Sequence, residues 1–144
     1  MSDFILDDFL PYQLAVAASR VSRAYARLYQ KRFGITIPEW RVVAHLSKAG
    51  AVSVREIHER VDMDKSKVSR AASRLEAAGY VTKRVNKADR RLVELALSDK
   101  GSAMIEELAP IAKSFEAKVL AQLGDGASVF QTELARLIEM TESR

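Results

Sequence analysis

The segment DKSKVSRAASRLEAAGYVTKR, Asp64 to Arg84, constrains the fold most, because it carries two periodicities back to back. Val68, Ala71, Ala72 and Leu75 recur at the three- and four-residue spacing of one helix face. The opposite face carries Lys67, Arg70, Ser73 and Arg74, flanked by Ser66 and Ser69, and Glu76 is the only acid between Lys65 and Arg84. Asp64 is a plausible N-cap and Gly79 a stop. At Tyr80 the pattern changes to that of a strand. A chain built around this segment must bury a narrow apolar stripe and leave a basic helix face, dotted with short polar side chains, exposed.

The neighbouring elements are read from the same kinds of signal. A long helix is expected over about 5–32, with Leu14, Ala18, Val21, Tyr25 and Leu28 in register and Gly34 as its stop. A second is expected over about 38–49, entered from Thr36 or Ile37 through Pro38 and ended by Gly50. Ser53-Val54-Arg55-Glu56 is a capping box that opens a third helix, to about Val61. Tyr80–Val85 and Arg91–Leu97 read as two strands joined by the polar loop 86–90. A two-stranded hairpin is marginal alone and should lean on the helices beside it. Ser98 caps a helix over about 99–123, which Pro110 should kink or break, and a last helix follows the Gly124-Asp125-Gly126 turn over about 128–142.

Composition excludes several classes of function. The 144 residues suffice for one domain with a real core. There is no cysteine, so disulfides, thiolate chemistry and cysteine zinc sites are out. His45 and His58 are the only histidines, and neither a calcium loop nor a phosphate-binding glycine loop is present, so no cofactor and no metal are expected. Asp62 and Asp64 have no accompanying nucleophile or base, which argues against an enzyme. No apolar run reaches the roughly 18 residues that span a bilayer. The acidic start MSDFILDDFLPYQ lacks the basic region of a signal peptide, and a cytoplasmic protein is expected.

The net charge of +4 is unevenly distributed. Residues 65–91 hold nine Lys+Arg against two Asp+Glu, whereas residues 92–144 hold five against nine. Such a block fits a polyanion partner, the alternative being a solvated basic face. Two short helices with a tight break, followed by a basic hairpin, have a mechanical meaning on DNA. The first helix braces on the phosphates, the second enters the major groove, and the hairpin reaches the minor groove.

Three segments in order resemble the MarR family of winged helix-turn-helix transcriptional regulators: ITIPEWRVVAHL, DKSKVSRAASRLEAAGYV and KADRRLVELALSDKG. They are similar to its second-helix signature, its recognition helix and its wing. Departures are small: Ser98 stands where threonine is commoner, and Ala71-Ala72-Ser73 is smaller than usual. The resemblance implies a mainly α fold, a winged helix-turn-helix with a small antiparallel β-hairpin wing and long N- and C-terminal dimerisation helices. The winged lobe would span 36–101, with 1–33 and 102–144 forming the dimerisation helices. It implies a ligand-responsive repressor that binds a palindromic operator in double-stranded DNA as a homodimer. Phe4, Phe9, Leu10, Phe130, Leu134 and Leu137 support a dimer independently, as more apolar groups than one lobe's termini need; the alternative is that the two ends pack on each other within one chain.

By the same resemblance Ser66, Lys67, Ser69, Arg70 and Arg74 fall on recognition-helix positions. Arg91 is the wing arginine, oriented by Asp89, and Lys87 and Arg90 are phosphate contacts. The family's small aromatic or phenolic effectors imply a pocket, for which Tyr12, Arg20, Arg23, Trp40 and His45 are the candidates. An activator or antirepressor of the same fold, or a module that sets its basic face on an acidic protein, would use the same residues differently.

Overall fold

The computed structural model describes residues 3–142; residues 1–2 and 143–144 of the expected dimerisation segments 1–33 and 102–144 lie outside the described residues. A 3-10 turn over Leu6–Asp8 precedes helix α1, Leu10–Phe33. Then follow α2 (Ile37–Ala49), strand β1 (Val52–Ser53), α3 (Val54–Arg60), α4 (Lys65–Ala77), β2 (Val81–Val85), β3 (Val93–Leu97), α5 (Asp99–Leu123) and α6 (Ala127–Met140). The chain divides between Ala109 and Pro110 into two compact units.

In the first unit, α1 begins later than its periodicity predicts. Pro11 is the reason: in a helix running from residue 5 it would lack a needed N–H, whereas near the first turn that donor is dispensable. Gly34 closes α1 in the left-handed conformation, φ 70°, and its N–H donates to Gln30 O. Burial on α1 falls on Ala26 and Tyr29, while Val21 and Leu28 of the predicted stripe are exposed in the single chain. Thr36 caps α2 by accepting from the Glu39 N–H, and Ser53 caps α3 by accepting from the Glu56 N–H.

The expected hairpin forms from β2 and β3, and a third strand joins it. β1 pairs antiparallel with β3 through Val52↔Leu95 and Ser53↔Glu94, giving the order β1-β3-β2. Two residues are too few to show a period of two, so this strand has no sequence signature; Ser53 is at once strand residue and helix cap. β3 thereby becomes the central strand, with Val81↔Leu97 to Val85↔Val93 on its other side. Val52, Val81 and Leu95 point into a core shared with Val42, Val43, Leu46, Ile57, Val68, Leu75, Met104 and Leu108.

The end of α4 and the start of α5 are locked together. Tyr80 N–H donates to Leu75 O and Gly79 N–H to Glu76 O, the paired bonds of a Schellman stop, with Gly79 at φ 87°. Ser98 N–H donates to Tyr80 O at 3.0 Å, and the Ser98 hydroxyl donates to Gly79 O at 2.5 Å while accepting from the Gly101 N–H at 3.1 Å. Lys100 Nζ donates to Ala78 O at 2.6 Å and lies over the Tyr80 ring. A Cβ on the buried Gly101 would sit inside contact distance of the Tyr80 carbonyl and 3.1 Å from Leu97 Cδ2.

In the second unit, α5 continues without interruption past Pro110 and ends at Leu123. The proline removes one hydrogen-bond donor, too little to end a helix of 25 residues with intact turns on both sides. On α6 no residue is fully buried, and Val129, Phe130, Ile138 and Met140 are exposed.

The Gly101 contact yields a stability prediction. The obstacle is backbone, which cannot rotate away, so Gly101→Ala should cost about 2 kcal/mol or more. Urea unfolding followed by circular dichroism would measure it, and a loss below about 0.5 kcal/mol would mean that α5 shifts freely against the Gly79–Tyr80 turn.

Candidate nucleic-acid interface

The fold fixes which way α4 faces. Val68, Ala71, Ala72 and Leu75 are buried, and the helix packs on α2, α3 and β2. The alanines, smaller than usual at this place, are themselves fully covered. Lys65, Ser66, Lys67, Ser69, Arg70, Ser73 and Arg74 are all exposed.

The break between α3 and α4 is held by two side chains. Asp62 adopts φ 53°, a left-handed conformation that aspartate tolerates. His58 Nδ1 lies 2.6 Å from Met63 O and must be the donor, since a carbonyl only accepts. Asp64 then caps α4, its Oδ1 accepting from the Lys67 N–H and the Ser66 hydroxyl, both at 2.8 Å.

The wing tip is organised by Asn86 and Asp89. Asn86 Oδ1 accepts from the N–H groups of Ala88 (2.8 Å) and Asp89 (3.0 Å). The hairpin closes through Asn86 N–H to Leu92 O and Leu92 N–H to Asp89 O. Asp89 grips Arg91 bidentately, Nε to Oδ1 at 3.0 Å and Nη2 to Oδ2 at 3.1 Å, and accepts from the Arg91 backbone N–H as well. The Arg91 guanidinium and then its backbone N–H hold the Asp89 carboxyl below the ordinary carboxylate range, with the Arg55 charge contributing. The side chain of Arg91 remains 85% exposed while its guanidinium is held by Asp89.

The basic block is less uniform than its sequence. Lys83 bonds the Ser73 hydroxyl at 3.1 Å and pairs with Glu76, tying β2 to α4. Arg84 pairs with Glu94 directly across the sheet, and Arg74 pairs with Glu39 of α2 at 3.8 Å. Among the described residues no ion pair involves Lys65, Lys67, Arg70, Lys87 or Arg90. These five, with the anchored Arg91, are the cations turned outward. Glu39 was missed in the sequence, although Thr36-x-x-Glu39 is a capping-box spacing.

The candidate effector residues fall in different places. Arg20 and Arg23 lie with Ala15, Val16 and Ser19 along a shallow, open hollow on one face of α1. Trp40 lies in an aromatic cluster, stacked on Tyr29 at 5.7 Å and edge-on to Tyr25 at 5.1 Å. Burial pushes the Tyr29 hydroxyl up to about 12. His45 Nε2 lies 3.4 Å from Glu56 Oε2, linking α2 to α3, and Tyr12 is exposed near the start of α1. Among the described residues there is no cluster of three metal-ligating side chains, and no helix is long and apolar enough to cross a membrane.

Comparison with known proteins adds an independent line. The MarR family model matches residues 33–92. The HTH-type transcriptional repressor MdtR of Bacillus subtilis (strain 168) is 32% identical over 115 residues, spanning 77% of this chain and 74% of that protein. Among solved structures, a MarR family transcriptional regulator from Silicibacter pomeroyi DSS-3 superimposes with a TM-score of 0.80 at 26% identity, over 97% of this chain and 100% of that one. The PcaV transcriptional regulator from Streptomyces coelicolor, solved in complex with its natural ligand, gives 0.78 at 25% identity, over 99% and 100%.

The α4 cap makes stability depend on pH. The Lys67 N–H, then the Ser66 hydroxyl, hold the Asp64 carboxyl below its ordinary value of 3.8, with the charges of Lys67 and Arg70 adding to the effect. The folded value lies below the unfolded one, so the contribution is complete above the unfolded value and is lost as pH falls through the folded one. Asp64→Ala should therefore lower the melting temperature at neutral pH, and its gap to the wild type should narrow on acidification below 3.8. Thermal melts across that range check this; a constant gap would exclude the carboxylate charge as the source.

Proposed function

The chain belongs to the MarR family of transcriptional regulators, and on that premise we propose that it is a cytoplasmic, ligand-responsive repressor that grips a palindromic operator as a homodimer. The observation that carries the DNA-binding part is the exposed face of α4: basic and small side chains on one side, a fully buried apolar stripe on the other. A helix of this kind fits the major groove, about 12 Å wide.

In this reading Lys67 and Arg70 reach base edges or phosphates, and Ser66 and Ser69 allow close approach. Arg74 lies farther along the same helix. Arg91 enters the minor groove with Asp89 holding its guanidinium, and Lys87 and Arg90 contact phosphates. Residues 36–101 act as the DNA-binding lobe.

The dimer would be built from 1–33 and 102–144. Supporting it are exposed Phe4, Ile5, Leu6, Phe9 and Leu10 at one end of the chain and Val129, Phe130, Ile138 and Met140 at the other. A two-fold dimer matches half-sites about one helical turn apart. For the effector, the Arg20 and Arg23 pair suits a small aromatic or phenolic molecule with an acidic group. Tyr12, Trp40 and His45 would act in its response.

Two experiments test this. Fluorescence anisotropy on duplexes enriched from a random library should give binding that discriminates sequences and weakens steeply with salt. Arg70→Ala and Arg91→Ala should each weaken it about ten-fold or more. Equal binding to all duplexes would reject sequence-specific recognition. For the dimer, Phe130→Glu should shift sedimentation toward a monomer and lower operator affinity together; a wild-type chain that sediments as a monomer would reject the two-fold reading.

A further inference from the structure

Glu39 is the one charged side chain buried among the described residues, at 5% exposure. A capping box accounts for part of its placement, since its N–H donates to the Thr36 hydroxyl oxygen. Its carboxylate does something else. Oε2 accepts from the Thr36 hydroxyl at 2.6 Å and pairs with Arg74 Nη1 at 3.8 Å. Arg74 belongs to α4, 35 positions away in sequence, and its side chain is 61% exposed. Its charge adds to the burial that raises the Tyr29 hydroxyl of α1. One buried acid thus stands where α1, α2 and the DNA-facing helix meet.

A buried carboxylate with one cation nearby is costly to strip of that cation. At 3.8 Å Arg74 makes an ion pair with Glu39 rather than a hydrogen bond, and that attraction favours its staying there when a polyanion approaches. A guanidinium has two edges and five donors, so one edge can remain on a carboxylate while the other meets a phosphate.

Resting on the DNA-binding reading above, we propose that Glu39 is a positioning residue for DNA recognition: it pins Arg74 so that the guanidinium meets a phosphate already oriented, and it fixes α4 on α2 through the same contact. The neighbouring Lys67 and Arg70 have no such anchor among the described residues. Arg74 then differs from them in kind, as a preorganised contact whose ordering cost is met in the free protein.

The test is a double-mutant cycle on the full chain, using a duplex enriched from a random library by the wild-type protein. Affinity is measured by anisotropy at several salt concentrations for wild type, Glu39→Gln, Arg74→Ala and the double variant. Glutamine preserves shape and can still accept from Thr36. Glu39→Gln should weaken binding about ten-fold in the wild-type background and have no further effect once Arg74 is alanine. Arg74→Ala should lower the salt slope by about one phosphate, while Glu39→Gln leaves the slope unchanged. Equal weakening by Glu39→Gln in both backgrounds would assign Glu39 to the stability of the lobe alone and overturn the inference, as would unchanged or tighter binding. Arg74→Lys guards against a misfolded Glu39 variant. It keeps the charge and the slope but loses the second edge, so it should weaken binding several-fold; wild-type affinity would overturn the proposal. Failure of the wild type to bind any duplex would reject the DNA reading itself, and this inference with it.

Discussion

The burial of four side chains, Val68, Ala71, Ala72 and Leu75, orients the exposed basic face of α4 and the elements packed against it. Full burial of residues the size of Val68 and Leu75 stabilises by roughly 1.5–3 kcal/mol each. The stripe is narrow, so α4 has one way to sit on α2, α3 and β2. Rotation of the helix by one residue would expose Leu75 and bury a cation. The direction in which Lys67 and Arg70 point is thus a consequence of packing behind them.

The two ends of α4 are specified by different chemistry. At its start Asp64 accepts from the free N–H of Lys67 and from the Ser66 hydroxyl. At its end the backbone closes on itself at Gly79, and α5 arrives with the Ser98 hydroxyl and Lys100 donating to the carbonyls of Gly79 and Ala78, the Ser98 N–H donating to Tyr80 O, and Gly101 leaving room for that carbonyl. Lys100 places a cation at a helix C-terminus, where the peptide dipoles favour it. The end of α4 is therefore tied to the first turn of α5 through two side chains and one backbone hydrogen bond.

Charge within the lobe falls into two populations. Lys83, Arg84 and Arg74 hold parts of the protein to each other: β2 to α4, β2 to β3, and α4 to α2. Lys65, Lys67, Arg70, Lys87 and Arg90 face outward without such partners among the described residues. Arg91 belongs to both groups, anchored by Asp89 yet largely exposed. The exposed pairs Lys83–Glu76, Arg84–Glu94 and Asp89–Arg91 add little to stability, so their value lies in orientation.

Much of this was legible in the sequence because it is local. Helix faces, the caps at Ser53, Asp64 and Ser98, the stop at Gly79 and the Asp89–Arg91 pair all depend on residues within about four positions of each other. Those signals determined the helices, the hairpin and the basic face of α4. What they left open is non-local. The two-residue strand β1 exists only because β3 lies beside it. Gly101 is required by a carbonyl 21 positions earlier, and Glu39 has meaning only once α4 is laid across α2. Which cations remain available to a partner was likewise decided by tertiary structure, since an ion pair between distant residues forms only where packing of apolar faces has already brought them together.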